Sequence, residues 1–456
     1  MMKLTTAQLA NILNANLIGA ENVTVSCVST DTRKACSDAL FFALKGANFD
    51  AHQYLENAVA QGANALVVEQ PDRTLNVPQL VVDNPQMALG QLGHWLKKTL
   101  APKTVAMTGS SGKTTVKEMT AAILAQKGKV LFTQGNFNND IGVPLTLLNL
   151  TEQHEFAVIE LGANHKGEIA YTTALVEPDV ALVNNVAPAH LEGFGSLDGV
   201  AQAKGEIYRG LPADGVAIIN ADCNYKDSFW RDDIGTRRCL SFGLNNPADF
   251  TARDIRLHAN GAEFELVTPH GSMTIHSPYL GRHNVSNALA ASALAMQMGA
   301  SLAQIKGGLE QRNRVPGRLF PVQLSEHVLV IDDSYNANVD SLKAAISVLS
   351  ASNGKRILVV GDMAELGENT RACHTEVATF AREAKLDGVY SFGHESAVIS
   401  QRCAGQHFQD KTALCTALLA QINQYVAEQQ PVVILVKGSR SQRMEEVIAR
   451  LKDKVC

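Results

Sequence analysis

The sequence predicts an α/β protein of three domains, on three observations. At 456 residues the chain exceeds what one hydrophobic core organises. Through its second and third blocks, short apolar runs alternate with amphipathic stretches, the rhythm of a mainly parallel sheet with helices on both faces. Proline and glycine punctuate the chain at Val315-Pro-Gly-Arg318, as at a domain linker.

The first domain, residues 1–84, is small and mixed, with strands expected at Leu40-Phe-Phe-Ala-Leu44 and Ala65-Leu-Val-Val68 around a helical stretch near Gln53 to Gln61. The second, residues 85–318, places apolar strands at Thr104 to Met107, Phe156 to Leu161, Asp179 to Val186 and Gly215 to Asn220. Between Phe250 and Tyr279 the apolar period shortens towards two, which predicts an antiparallel patch appended to that sheet and ending at Gly281. The third, residues 319–456, has strands at Val328 to Ile331, Ile357 to Val360, Gly388 to Ser391 and Val432 to Val436, with helices near 340–350, 370–384, 411–425 and 441–451. That is a Rossmann-like, doubly wound pattern, but no G-x-G-x-x-G follows its first strand, so dinucleotide binding is not indicated.

Composition narrows the function classes. Forty basic against forty-five acidic residues give a net charge of -5, which offers no general attraction to nucleic acid or to an anionic membrane. The eight cysteines carry no C-x-x-C pair and no metal-finger spacing, the usage expected of reduced thiols in a cytoplasmic protein. No signal peptide is visible where Leu4, Leu9, Ile12 and Leu13 make a short amphipathic pattern, and no run of 18 apolar residues offers a membrane span.

The most informative segment is Thr108-Gly-Ser-Ser-Gly-Lys-Thr-Thr115, which lies between the strand ending at Met107 and a helical run marked by Val116, Met119 and Ile123. Glycine there lets the backbone approach phosphates closely, and the helix N-terminus adds its positive end. Thr108, Gly109, Ser110, Ser111, Gly112 and Thr115 form the cradle, Lys113 meets the outer phosphates, and the Thr114 hydroxyl is a Mg²⁺ ligand. Met107 stands where the full pattern has glycine, so the loop is a shortened variant. The segment predicts binding of a nucleoside triphosphate.

In open α/β sheets, ligands sit beyond the carboxyl ends of the strands, and two residues stand out there. Glu160 ends an apolar strand, where its carboxylate either balances a cation such as Mg²⁺ or caps the next turn. His190 follows the strand around Val183 in a loop, where a lone histidine is usually unremarkable and position alone does not settle its role. Lys204 lies on a helix and reads by itself as a solvated lysine.

Taken together, these segments resemble the Mur ligase family, ATP-dependent amino acid and peptide ligases that build the bacterial cell-wall precursor, over the whole chain. The resemblance makes the shortened loop normal. It assigns Thr114, Glu160 and His190 to two Mg²⁺ sites and makes Lys204 a carbamylated metal ligand. It further implies that Asn284 and Asn287 of His283-Asn-Val-Ser-Asn287 bind adenine and that Arg318 lies near the transferring phosphoryl group. Asp333, Tyr335 and Asn336 of Asp333-Ser-Tyr-Asn-Ala-Asn338 contact the nucleotide, and Val339, where proline is common, is expected to loosen that turn.

The first domain resembles the family's uridine-nucleotide segment through Ser29, Thr32 and Arg33 of Ser29-Thr-Asp-Thr-Arg33 and through Lys45 and Gly46 of Phe41-Phe-Ala-Leu-Lys-Gly46. Asn136, Asn138 and Asn139 of Asn136-Phe-Asn-Asn-Asp140 join them as substrate contacts. That segment, the one ending at Asn338 and Gly361-Asp-Met-Ala-Glu-Leu-Gly367 favour the member that joins D-alanyl-D-alanine to UDP-N-acetylmuramoyl-tripeptide through an acyl phosphate. The alternatives are the diamino acid-adding member and a folylpolyglutamate-type ligase. The former carries an Asp-Asn-Pro-Arg type of motif in its last domain, whereas Asp83-Asn-Pro85 here ends the first. A monomer is the default expectation; the resemblance implies Lys113, Lys204, His190 and Arg318 in catalysis, and a third domain that binds the dipeptide and closes over ATP.

Overall fold

Three sheets grow from the apolar runs, and the computed structural model describes them over residues 2–34, 36–188, 191–223, 225–311 and 315–455. In the first unit, Asn16–Ile18 (β1), Cys27–Ser29 (β2), Ala39–Phe42 (β3), Ala63–Val68 (β4) and Gln79–Val81 (β5) make a sheet in the order β1-β5-β4-β3-β2. Thr6–Leu13 (α1) starts at a capping box between Thr5 and Gln8, and it buries Leu9 and Leu13. Asn84 caps Pro85–Leu100 (α2), whose first residue is the proline that this position favours. The Asp83-Asn-Pro85 tripeptide is therefore a helix start. Leu89, Leu92 and Leu96 of α2 join Leu40 and Val67 of the first sheet and Ala157 and Ile159 of the second in one core.

The second unit has six strands, Lys103–Thr108 (β6), Val130–Phe132 (β7), Phe156–Glu160 (β8), Val180–Val183 (β9), Val216–Asn220 (β10) and Arg238–Phe242 (β11). They lie all parallel in the order β7-β8-β6-β9-β10-β11. The phosphate-loop strand β6 is thus central, between β8, which carries Glu160, and β9, which leads to Asn184 and Asn185. Behind this sheet pack Lys113–Leu124 (α3), Arg282–Gln297 (α5) and Leu302–Leu309 (α6), through Val116, Met119, Val285, Leu289 and Ile305. Leu197–Gly205 (α4), which carries Lys204, starts at the Ser196 cap. The antiparallel patch needs a correction: Thr251–His258 (β12), Gly261–Thr268 (β13) and Gly271–Ser277 (β14) form a separate sheet, tied to the main one by a bridge between Phe242 and Phe250.

In the third unit, Phe320–Ser325 (β15), Val328–Asp333 (β16), Lys355–Gly361 (β17), Gly388–Phe392 (β18), Gln406–Phe408 (β19) and Val432–Lys437 (β20) take the order β15-β16-β20-β17-β18-β19. Val339–Ser350 (α7) and Thr370–Glu383 (α8) cover one face, while Lys411–Ala427 (α9) and Glu445–Val455 (α10) cover the other. The sheet is doubly wound, as its sequence rhythm predicts. Strands β7, β11, β15 and β19 lie outside the expected set: all four are edge strands, two only three residues long, with too little apolar pattern to stand out.

The thiol reading also needs a correction. Cys27 and Cys36 are joined by a disulfide with an S–S distance of 2.18 Å. The parallel register that sets Cys27 beside Ala39 returns Cys36 to its neighbourhood, a proximity that the nine-residue spacing does not advertise. Cys223, Cys239, Cys373, Cys403 and Cys415 are free thiols.

Helix α3, which follows the phosphate loop, is held by a close approach of α6. A Cβ on Gly308 would lie 2.4 Å from the Ile123 Cα and 2.5 Å from its backbone nitrogen, atoms that cannot rotate away. Gly308→Ala is expected to destabilise the protein by about 1–3 kcal/mol, as overpacking of a core does. Denaturant titration checks this, and an unchanged midpoint would show that α6 is not clamped on α3.

Candidate active site

The phosphate loop is built by convergence. Gly112 has φ +76°, the left-handed region that glycine favours, and it caps α3 with no side chain. Around it runs a belt of amides. Asn185 Oδ1 accepts the Ser111 N–H at 2.8 Å, and Asn184 Nδ2 donates to the Ser111 carbonyl at 2.9 Å and to Asn287 Oδ1 at 3.0 Å. Asn287 Nδ2 in turn donates to Asn284 Oδ1 at 2.8 Å, and Asn284 Nδ2 to the Leu280 carbonyl at 2.8 Å. The Ser110 hydroxyl closes the loop on Ala187, donating to its carbonyl at 3.1 Å and accepting its N–H at 2.9 Å.

Above this loop lies a cavity of about 410 Å³. Ser110, Ser111, Gly112, Lys113, Thr114, Thr115, Asn136, Asn138, Asn139, Glu160, Asn284, Asn287, Arg318, Asp333, Tyr335 and Asn336, all expected from sequence, line it. It therefore opens between the central sheet and the third unit. Lys113 Nζ folds back to the Gly109 carbonyl at 2.7 Å. Desolvation lowers its pKa, partly offset by Glu160, with Arg318 lowering it further. Arg318 lies 4.1 Å from the Tyr335 ring centroid and donates to the Thr114 hydroxyl at 3.1 Å. A cation at Thr114 would meet the Arg318 guanidinium that already contacts that hydroxyl.

The donor set suits a hard divalent cation. Glu160 is 2 % exposed; Asn138 donates to its Oε1 at 2.8 Å, while Oε2 is buried without a hydrogen-bond partner. Buried orphan oxygens are costly, and an oxygen-seeking cation satisfies them. Among the described residues there is no group of three His, Cys, Asp or Glu side chains that could hold a metal.

Several expected residues stand elsewhere. Thr108 and Gly109 lie beneath the loop rather than at the cavity wall, and Thr108 Oγ1 is buried without a partner. Lys204 does not line the cavity. It is 2 % exposed, its Nζ is 5.9 Å from the Phe194 ring centroid, and burial together with Lys113 pushes its pKa well below the ordinary lysine value. The reading of Lys204 as a solvated lysine is therefore excluded. His190 lies outside the described residues. Ser29, Thr32, Arg33, Lys45 and Gly46 stay with the first unit, away from this cavity: Arg33 pairs with Asp31 at 2.8 Å and Lys45 pairs with Glu69. The turn before α7 is not loosened by Val339, since Asn338 and Ser341 form a reciprocal capping box and Val339 is buried.

Sequence reasoning missed Asn184, Asn185, Asn338, His283 and Lys437, which also line the cavity. Asn338 reaches across to the Ser110 carbonyl at 3.4 Å. Burial, with Lys437 adding to it, holds the His283 imidazole down at about 4, so it is neutral near pH 7. Lys437 ends an otherwise apolar strand, the same signal that singled out Glu160.

Known proteins resemble this chain from end to end. Family profiles match as "Mur ligase family, catalytic domain" over residues 24–102, "Mur ligase middle domain" over 107–295 and "Mur ligase, glutamate ligase domain" over 317–452. A Haemophilus influenzae protein named UDP-N-acetylmuramoyl-tripeptide--D-alanyl-D-alanine ligase is 58% identical, with all of both chains covered. The crystal structure of MurF from Acinetobacter baumannii superposes with a TM-score of 0.94 at 39% identity, covering all of both chains. That of MurF ligase from Thermotoga maritima in complex with ADP gives 0.84 at 27% identity, covering 94% of this chain and 98% of that one.

Adding a methyl at Gly112 tests the belt. Its Cβ would sit 2.5 Å from both Asn184 Nδ2 and Asn287 Oδ1. Gly112→Ala is expected to weaken nucleotide binding at least about tenfold, or 1.4 kcal/mol, in calorimetric titration. Wild-type affinity would mean that the belt does not shape the loop.

Proposed function

The chain belongs to the Mur ligase family, and from that premise we propose that it is an ATP-dependent peptide ligase joining D-alanyl-D-alanine to the terminal carboxylate of UDP-N-acetylmuramoyl-tripeptide in peptidoglycan precursor synthesis. The observation that carries this reading is the meeting of a phosphate loop, a buried carboxylate and the Arg318–Asp333 segment of the third unit around one cavity. The full-length relative at 58% identity favours this member over the diamino acid-adding one and over a folylpolyglutamate-type ligase. The reaction belongs in the cytoplasm, and no helix among the described residues is long and apolar enough to cross a membrane. A monomer suffices for it.

In this reading ATP lies over the loop, its γ-phosphate towards Lys113 and its adenine towards Asn284 and Asn287. The tripeptide carboxylate attacks that phosphate, forming an acyl phosphate and releasing ADP. The amine of D-alanyl-D-alanine then attacks the acyl carbon, forming the amide and expelling phosphate. The chain contributes position and charge rather than covalent chemistry. Lys113 and Arg318 balance the charge that develops on the phosphoryl oxygens. Thr114, Glu160, His190 and modified Lys204 would hold Mg²⁺, which when bound neutralises phosphate charge. Ser29, Thr32, Arg33, Lys45 and Gly46 take the uridine nucleotide, with Asn136, Asn138 and Asn139 along the path to the reacting carboxylate. Asp333, Tyr335 and Asn336 cover ATP as the third unit closes, excluding water from an intermediate that water would hydrolyse.

Lys204 is the carbamylated residue of this reading. A buried lysine with a depressed pKa holds a larger neutral fraction at a given pH, and the neutral amine is the form that adds CO₂. Its nitrogen bonds the carbon and loses a proton, turning a cation into a carboxylate-like ligand.

Three outcomes follow. An ADP-release assay with substrates omitted one at a time is expected to give turnover only with ATP, the uridine-linked tripeptide and the dipeptide together; ADP formed with folate and glutamate instead would overturn the assignment. With ¹³C-bicarbonate, one carbamate resonance is expected near pH 7.5 and absent from Lys204→Arg. Lys204→Ala should abolish turnover without rescue by bicarbonate, whereas full activity would return Lys204 to a packing role.

A further inference from the structure

We infer that Lys437, at the carboxyl end of β20, is a positioning residue that holds the nucleotide-covering segment of the third unit in register with the phosphate loop. The inference rests on the ligase reading and adds a residue to it.

Strands β16 and β20 are parallel neighbours whose register sets Asp333 directly beside Lys437. Lys437 Nζ donates to Asp333 Oδ2 at 2.6 Å and to the Asn336 carbonyl at 2.8 Å, so one ammonium grips both ends of the Asp333–Asn336 turn. The other oxygen of the same carboxylate, Asp333 Oδ1, accepts the Leu319 N–H at 3.1 Å. Leu319 directly follows Arg318, the residue that reaches from this unit to Thr114 on the phosphate loop. Tyr335, inside the gripped turn, stacks on that guanidinium, and its N–H is bonded to the Gly317 carbonyl at 3.3 Å. A chain of direct contacts thus runs from Lys437 through Asp333 and the 317–319 segment to Arg318 and Thr114.

Lys437 is 3 % exposed and Asp333 7 %. A buried carboxylate stripped of its cation reorients or takes up a proton, and either change releases Leu319 and the turn. A strand-end lysine with a purely structural task could be met anywhere along the sheet. This one is at the cavity wall, gripping Asp333 and Asn336, two of the three residues of the segment expected to contact the nucleotide.

The test is a split between Michaelis constants. Lys437→Met is expected to raise KM for ATP at least tenfold and leave KM for the uridine-linked tripeptide within twofold of wild type. Lys437→Arg, which keeps the cation, should recover most of the ATP affinity. Equal shifts in both constants, or an unchanged KM for ATP, would overturn the role. Should Lys437→Met fail to fold, the doubly neutral D333N/K437M variant buries no unpaired charge and carries the same comparison: a KM for ATP no higher than that of Asp333→Asn alone would overturn it, because the grip on Asn336 would then be idle. Wild-type protein without turnover on the three substrates would sink the ligase reading itself, whereas active wild type with an unaffected Lys437→Met sinks only this inference.

Discussion

Everything in the cleft depends on how the backbone at Ser111 and Gly112 is held. A loop that cradles phosphates must keep its N–H groups aimed at empty space before the ligand arrives, a conformation with few internal contacts of its own. Here the contacts come from outside the loop. Asn184 and Asn185, just beyond the end of β9, fix both polar groups of Ser111, and Asn287 on α5 braces Asn184 from behind. The belt leaves no room for a side chain at Gly112. Strand order supplies the geometry, because β6 and β9 are adjacent and α5 packs behind both.

Charge balance explains much of what surrounds the loop. Two buried lysines, Lys204 and Lys437, and the half-buried Lys113 stand around or behind the cavity with two buried carboxylates, Glu160 and Asp333. Lys437 has Asp333 in contact, and Lys113 has the longer-range support of Glu160. Burial and Lys113 push the Lys204 pKa well below its ordinary value, and in the proposed reading addition of CO₂ to its neutral amine would make it a third anion. The same ledger leaves Glu160 Oε2 and the site beside Lys113 prepared for a ligand that brings both negative phosphate and a positive metal.

Much of this was legible in the sequence because it rests on local signals. The phosphate loop, the apolar strands β6, β8, β9, β16, β17 and β20, and Glu160 at a strand end are all read from runs of neighbouring residues. The amide belt was not, since Asn184, Asn185 and Asn287 become partners only when β9 and α5 converge, and asparagine after a strand looks like an ordinary turn. Lys437 carries the same strand-end signal as Glu160, but lysine is usually exposed and its partner lies 104 positions away. The Cys27–Cys36 proximity likewise arises from the β2–β3 register rather than from any spacing motif. Edge strands such as β7 and β19 carry too few residues to show a period.

In the proposed reaction the amide-held loop is the phosphate site, and Arg318 leaves Thr114 to meet the nucleotide. The most direct measurement is a crystal structure with a non-hydrolysable ATP analogue and Mg²⁺. Phosphate oxygens are expected on the N–H groups from Gly112 to Thr114, with Lys113 released from the Gly109 carbonyl and the Arg318 guanidinium turned towards the γ-phosphate. A nucleotide bound elsewhere, or bound there with the Arg318–Thr114 and Lys113–Gly109 contacts intact, would contradict it.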